Sequence, residues 1–484
     1  MMFSSPPKVL SRPRRRAVAF LAAMVAAGVI PTATASTTAA PPAGVPQRFS
    51  STANVTWGTP ADTTRTDPNH PGVRYAQLVT AVAEAGNRLF VAGQFTNLVA
   101  PSRAPSSPPL PYLAVLDVAT GAPLAGAAFN SNAAPDGRVD SLAVSADGHR
   151  LYVGGSFSRI GGQTARRLAA LDVDTGLVDG TFTPPTPNAY VRALTVAGDR
   201  LYIGGAFSSL RSGATIVNRP GLAALDAATG ALVAGFVPPQ NYGGIFETHV
   251  GKPVEDQPGT YNPGVVGSVA VTADGTTVMV GGNFLHFGTA PAADPNHQHG
   301  GLIALDAVTG TLTPWQPTSK RPVFSLAVWP GDGRTVFAAA GGAGGVVQAF
   351  LPGGPKTTPR WTGRVDGDPT GVAATTDRVY LVGHYDHQVP NSSDPCLKPS
   401  PQPNGQMGVS CPNGTPHRHL AAFDAWTGYV DPSFTAQADT PEGPDVAVIG
   451  AGHLYVGGNF IKVSDTPGGT FRPQPGLAVY NAIG

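Results

Sequence analysis

A chain of 484 residues that is 42% apolar and 13% charged can bury a large core, and it is not a chain kept disordered by charge. A formal charge of +1 removes the electrostatic case for nucleic acid or an anionic membrane surface as partner. The 61 glycines and 49 prolines point instead to turns and repeats.

Residues 1–35 read as an export signal. Arg12, Arg14, Arg15 and Arg16 precede an apolar run from Ala17 to Ile30, and Ala33-Thr34-Ala35 supplies the small residues of a cleavage site. The stretch RRRAVAFLAAM resembles a twin-arginine signal, and an ordinary secretory signal accounts for it as well. The apolar run is short against the ~20 residues of a membrane span, and no later segment qualifies. The expectation is a secreted, extracellular or cell-wall-associated protein, monomeric and without a membrane span. Residues 36–52 read as a flexible leader and 53–484 as the folded body.

From there one phrase recurs: LFVAGQF at 89, LYVGGSF at 151, LYIGGAF at 201, VMVGGNF at 278, VFAAAGG at 336, VYLVGHY at 379 and LYVGGNF at 454. Each copy follows an alternating apolar run: VTAVAEAG, VDSLAVSADG, VRALTVAG, VGSVAVTADG, VFSLAVWPGDG, PTGVAATTD and PDVAVIGAG. Two alternating segments joined by Gly, Asp or Asn turns predict a β-hairpin. A third strand follows in forms such as RLAALDVDTG and GLAALDAATG; its Asp-x-x-Thr-Gly ending predicts a turn in which the Asp accepts backbone N–H groups and Gly takes a positive φ. A fourth strand is expected to carry one aromatic, namely Phe129, Phe182, Phe236, Trp315, Trp361 and Phe434 in repeats one to six. The seventh repeat ends too early for one, and Trp57 matches the missing aromatic.

Four strands per repeat and seven repeats predict an all-β fold: a single seven-bladed β-propeller of four antiparallel strands per blade, closed by an N-terminal strand that completes the last blade near Val479. The shortest spacing between copies, 43 residues from 336 to 379, suits one blade. The Gly-Gly pair is expected to admit a neighbouring backbone.

The LYVGG-x-F and LAALD-x-x-TG pattern, from about residue 53 to the end, resembles the delta-type propeller-repeat domains of bacterial secreted proteins, a family of unknown function. More distantly, A-x-D-x-x-T-G is similar to the docking motif of quinoprotein propellers. That second resemblance implies pyrroloquinoline quinone, but those enzymes carry eight blades and an adjacent Cys-Cys pair, which this sequence lacks, so no quinone is expected.

The long insertions, 96–111, 158–166, 208–220, 237–264, 285–300, 386–418 and 461–475, all fall between second and third strands or between repeats, on one expected face. Insertions gathered on one face mark it for binding. The same face takes His70, His249, His286, His297, His299, His384, His387, His417 and His419. His297, His299, His384, His387 and His417 are the candidate ligands for a divalent metal ion, with Asp294, Asp386, Glu247, Glu255 and Asp256 near by; histidines also decorate polar loops without binding anything. Cys396 and Cys411, the two cysteines, lie in the 386–418 insertion and are expected to form a local disulfide if the chain is exported. No nucleophile elbow, P-loop, dinucleotide fingerprint or His-Glu-x-x-His is present. The expected function is an exported binding scaffold whose loops contact an extracellular protein, peptide or glycan; the alternative is a metal-dependent lyase or hydrolase using the histidines.

Overall fold

The computed structural model describes residues 48–483 except 55, 64–73, 101–105, 245–263, 289–299, 318, 320, 342–343, 390–397, 402–406, 411–414 and 441. The signal expected at 1–35 and residues 36–47 of the leader expected at 36–52 lie outside the described residues, while 48–52 of that leader belong to the strand Arg48–Asn54. The rest is all-β, and the only helix among the described residues is the single turn Ala128–Asn132. No helix there is long and apolar enough to cross a membrane.

The repeat folds as expected over its first three segments. In the second unit, Val139–Val144 pairs antiparallel with Arg150–Gly155, which pairs with Leu168–Asp172. The first, third, fourth and sixth units follow the same three-stranded plan. The Asp-x-x-Thr-Gly ending closes as a turn: Asp172 Oδ1 accepts the Thr175 backbone N–H at 2.7 Å and its hydroxyl at 2.6 Å, while Gly176 takes φ +70°. Asp226 does the same with Thr229, both at 2.7 Å. These hydrogen bonds, the Thr hydroxyl first, hold both carboxyls below the ordinary carboxylate value.

The single seven-bladed propeller of four-stranded blades is corrected by the hydrogen bonding. The described residues form thirteen separate sheets, most of two or three strands, and none is closed or curled. After the turn the expected fourth strand contributes one isolated bridge and no ladder, as at Leu116↔Pro123, Leu171↔Val178, Leu225↔Leu232, Leu305↔Leu312 and Phe423↔Val430. The reason is in the sequence: these segments hold Pro123, Pro184, Pro238, Pro314 and Pro432, and proline has no N–H to give a ladder. Two units depart from the plan in other ways. The fifth runs on through Trp361–Val365 into His387–Val389 and Thr415–Pro416 of the long insertion, making a six-stranded sheet. The seventh gains a fourth strand from the other end of the chain, Arg48–Asn54, whose Asn54 pairs with Val479 and whose Ala53 pairs with Tyr480. That segment lies just before Trp57, and its buried aromatic is Phe49.

The expected aromatics do pack, on the second residue of the recurring phrase. Phe129 meets Phe90 at 5.0 Å between ring centroids, Phe182 meets Tyr152 at 5.4 Å, Phe236 meets Tyr202 at 5.4 Å and Phe434 meets Tyr380 at 5.2 Å. The tyrosines also reach the next unit, Tyr152 donating to Ala227 O at 2.6 Å and Tyr202 to Ala307 O at 2.9 Å. One aromatic therefore fills its own unit and ties it to its neighbour.

The Gly-Gly pair has two separate tasks. A Cβ on the first glycine would meet a valine opening the next unit's first strand: Val191 Cγ1 at 2.8 Å from Gly154, Val266 Cγ1 at 2.6 Å from Gly204 and Val323 Cγ1 at 2.6 Å from Gly281. A Cβ on the second would strike a main-chain carbonyl of its own unit, Arg138 O for Gly155 and Tyr190 O for Gly205. Close approach, expected for the pair as a whole, thus serves sheet-to-sheet packing at one position and the hairpin itself at the other.

Candidate functional site

The alternating runs hide one irregularity. In every unit the register of the first strand against the second shifts within its first residues, between Val79 and Ala81, Val139 and Ser141, Val191 and Ala193, Val266 and Ser268, Val323 and Ser325, Pro369 and Gly371, and Pro444 and Val446. A bulge leaves one residue out of the ladder and re-aims its side chain. The residues skipped are Thr80, Asp140, Arg192, Gly267, Phe324, Thr370 and Asp445. The opening valine explains the extrusion in several units: it is seated against the preceding unit's glycine and fully buried, so the next residue cannot also turn into the core.

All seven skipped residues line one cavity of about 390 Å³. It is bounded by the seven first strands, Leu78–Ala85, Val139–Val144, Val191–Ala197, Val266–Val271, Val323–Val328, Asp368–Ala374 and Pro444–Gly450, each of which touches the next, the seventh touching the first. In each unit the first strand begins beside the end of the second, as Val139 opposite Gly155 shows. The bulge residues therefore lie at the sheet ends from which the long second-to-third connections leave.

Most lining hydroxyls are occupied in binding units together. Thr80 Oγ1 donates to Val139 O at 2.7 Å, Thr195 Oγ1 to Val269 O at 2.6 Å and Thr370 Oγ1 to Pro444 O at 3.0 Å. Ser268 Oγ accepts from Leu326 N at 3.0 Å, and Ser325 Oγ from Val372 N at 3.2 Å. Ser141 stands in the same register as these two serines, yet its Oγ is buried with no protein partner.

The charge is concentrated in units two and three. Arg138 donates from its guanidinium to Asp140 Oδ1 at 2.7 Å, and the Asp140 side chain is only 3% exposed. Burial pushes the Asp140 carboxyl above its ordinary value, an effect that outweighs the opposing pull of Arg138 and Arg192. Its second oxygen, Oδ2, and Arg138 Nε are buried without a protein partner. Phe324 remains 37% exposed in the same cavity; a Cβ on Gly341 would collide with its ring and lie 2.8 Å from Asp368 Oδ1.

Of the histidine candidates, His297 and His299 lie outside the described residues, as do Cys396 and Cys411 with their expected disulfide; the described hairpin of Lys398–Pro401 with Met407–Ser410 lies between the two cysteines. Of the acidic helpers, Asp294, Glu247, Glu255 and Asp256 are also outside. His384 is exposed, with its ring 6.5 Å from that of buried His419. His387 Nδ1 lies 2.8 Å from Asp366 Oδ2, and Asp366 also accepts the backbone N–H groups of Asp386 and His387, both at 2.9 Å. His417 is buried, which lowers its pKa. Burial likewise lowers that of His419, to about 4, with its Nδ1 placed 2.9 Å from Gly383 O. Among the described residues no group of three or more His, Cys, Asp or Glu could hold a metal ion. The structure pairs His384 with His419 and His387 with Asp366, and gathers no shared ligand point among the described histidines.

The bulge residues were missed by reasoning from histidines and loops. Their signal was present: each is the second letter of its alternating run, and those seven letters are T, D, R, G, F, T and D, five residue types where the flanking positions are small or apolar.

No family model and no curated protein matches the chain. Among solved structures it is similar to the computationally designed Ika8 protein, with a TM-score of 0.41 and 11% identity over 84% of this chain and 96% of that one.

Proposed function

We propose that the chain is an exported binding scaffold that takes a ligand, free or as the protruding end of a larger molecule, into the cavity bounded by the seven first strands. The observation that carries this reading is the set of seven bulge residues, six of them with side chains and the seventh Gly267. A bulge in every unit aims one residue into a common space, and those residues differ in charge, size and polarity while the strands around them repeat. A repeated frame with a non-repeated lining separates the structural task from the recognition task. The cavity volume falls within the ~300–1,000 Å³ of small-molecule sites, and the longest connections leave from the same sheet ends. Those connections supply further contacts to a glycan, peptide or protein carrying the bound group.

The test is thermal-shift screening of the intact chain against soluble sugars and short peptides, repeated on Arg192→Ala and Phe324→Ala. At least one compound is expected to raise the melting temperature of the parent chain and to lose that effect in both variants. Absence of any shift, or shifts equal in parent and variants, would remove this reading.

A further inference from the structure

Resting on that reading, we infer that the ligand is a pyranose sugar residue, held by Asp140 and Ser141 through its hydroxyls and by Phe324 against one face of its ring. Two independent features converge. The first is a pair of adjacent buried acceptors without protein partners. Asp140 is 8% exposed and Ser141 7%, both line the cavity, and Asp140 Oδ2 and Ser141 Oγ make no hydrogen bond to the protein. The equivalent serines, Ser268 and Ser325, are engaged by Leu326 N and Val372 N, so the free hydroxyl of Ser141 does not follow from its register. Buried polar atoms ordinarily find partners, and a site whose acceptors await them selects a ligand that brings hydroxyl donors.

The second feature is Phe324, left 37% exposed and the one aromatic ring among polar, small and branched aliphatic residues lining the cavity. Every equivalent bulge residue is polar or glycine. Gly341 leaves room for the ring, since a side chain there would collide with it. One aromatic platform combined with several convergent hydroxyl-binding groups suits a molecule with an apolar C–H face and a polar rim. A pyranose has that shape. A peptide would instead present N–H and C=O groups along an extended line, with the unpaired edge of a first strand as its dock; it is the rival outcome that the experiment reads, and the unpartnered Asp140 and Ser141 acceptors favour the hydroxyl-rich ligand.

The Arg138–Asp140 pair places Asp140 for this task. Arg138 occupies Oδ1 at 2.7 Å, which leaves Oδ2 as the available acceptor. A carboxylate accepting from neighbouring hydroxyls makes charge-assisted bonds, stronger than those of a neutral acceptor.

The experiment is isothermal titration calorimetry of the full exported chain with methyl glucoside, methyl galactoside, N-acetylglucosamine and glucuronate, and with triglycine and Gly-Asp-Gly as peptide probes. At least one sugar is expected to bind and neither peptide to do so. Ser141→Ala, whose lost hydroxyl bonds no protein atom, should leave the melting temperature within a degree and weaken the sugar roughly tenfold. Phe324→Leu, which keeps apolar bulk, should weaken it by a similar factor, and Asp140→Asn by more. Peptide binding that is abolished by Phe324→Leu, with no sugar binding, would overturn the sugar assignment while leaving the binding-scaffold reading in place. Sugar binding unaffected by all three variants would place the ligand elsewhere and overturn both. Binding of neither class would likewise overturn both.

Discussion

Replacing Phe49 by alanine tests whether the early strand is an integral part of the seventh unit. Phe49 is 3% exposed and its ring meets that of Tyr380 edge-on at 5.3 Å, within a core cluster that also includes Phe434, Leu454 and Tyr480. Its backbone N–H donates to the Tyr380 hydroxyl at 3.1 Å, so the strand is tied to the sixth unit as well as to Leu477–Ile483. Truncating a buried phenylalanine to alanine costs about 3–5 kcal/mol, through lost transfer energy and the cavity left behind. Unfolding entropy near ~2.1 cal/mol/K per residue gives roughly 0.9 kcal/mol/K for a cooperative body of this size. The melting temperature should therefore fall by about 3–6 °C in scanning calorimetry. Phe434→Ala, also 3% exposed and in the same cluster, serves as the reference from inside the repeat. A fall of less than a degree for Phe49→Ala, with the full fall for Phe434→Ala, would refute the pairing of the two chain ends.

Other perturbations address the joints between units. Gly204→Val should destabilise the chain by about 1–3 kcal/mol in chemical denaturation, since even a Cβ there lies 2.6 Å from Val266 Cγ1 of the next unit. Tyr202→Phe keeps the ring against Phe236 and loses only the hydrogen bond to Ala307 O; a cost near 1 kcal/mol is expected in the same assay, and a cost equal to Tyr202→Ala would contradict the latch. Asp172→Asn should cost about 1 kcal/mol at pH 7, after allowance for solvent at a partly exposed turn. Because the folded carboxyl titrates below its unfolded value, its stabilisation is complete above the unfolded pKa and lost as pH falls through the folded one. The parent and Asp172→Asn melting curves should therefore draw together as pH is lowered below about 4, and a difference that does not shrink at all on acidification would count against the charged turn.

The repeat was legible because its punctuation is local: the Asp-x-x-Thr-Gly turn needs nothing beyond Asp172, Thr175 and Gly176, and it forms where it was read. The fourth strand was overread for the converse reason. Its aromatic, Phe182 or Phe236, packs where expected, but packing of a side chain does not require a ladder, and neighbouring prolines prevent one. The bulges were illegible as geometry because register is a relation between two strands, and alternation along one strand cannot report it. The sixth unit shows how such relations are conserved in shape when the letters change. Where the third unit sets Ala193 opposite Gly204, the sixth sets Gly371 opposite Val382, so the small residue has crossed to the other strand of the pair. A Cβ on Gly371 would stand 2.7 Å from Val382 Cγ2 and 3.0 Å from the Ala447 backbone nitrogen of the next unit. The constraint thus belongs to the pair and the neighbouring sheet, and the bulge residue beside it, Thr370 here and Arg192 there, stands outside that glycine packing and differs from unit to unit.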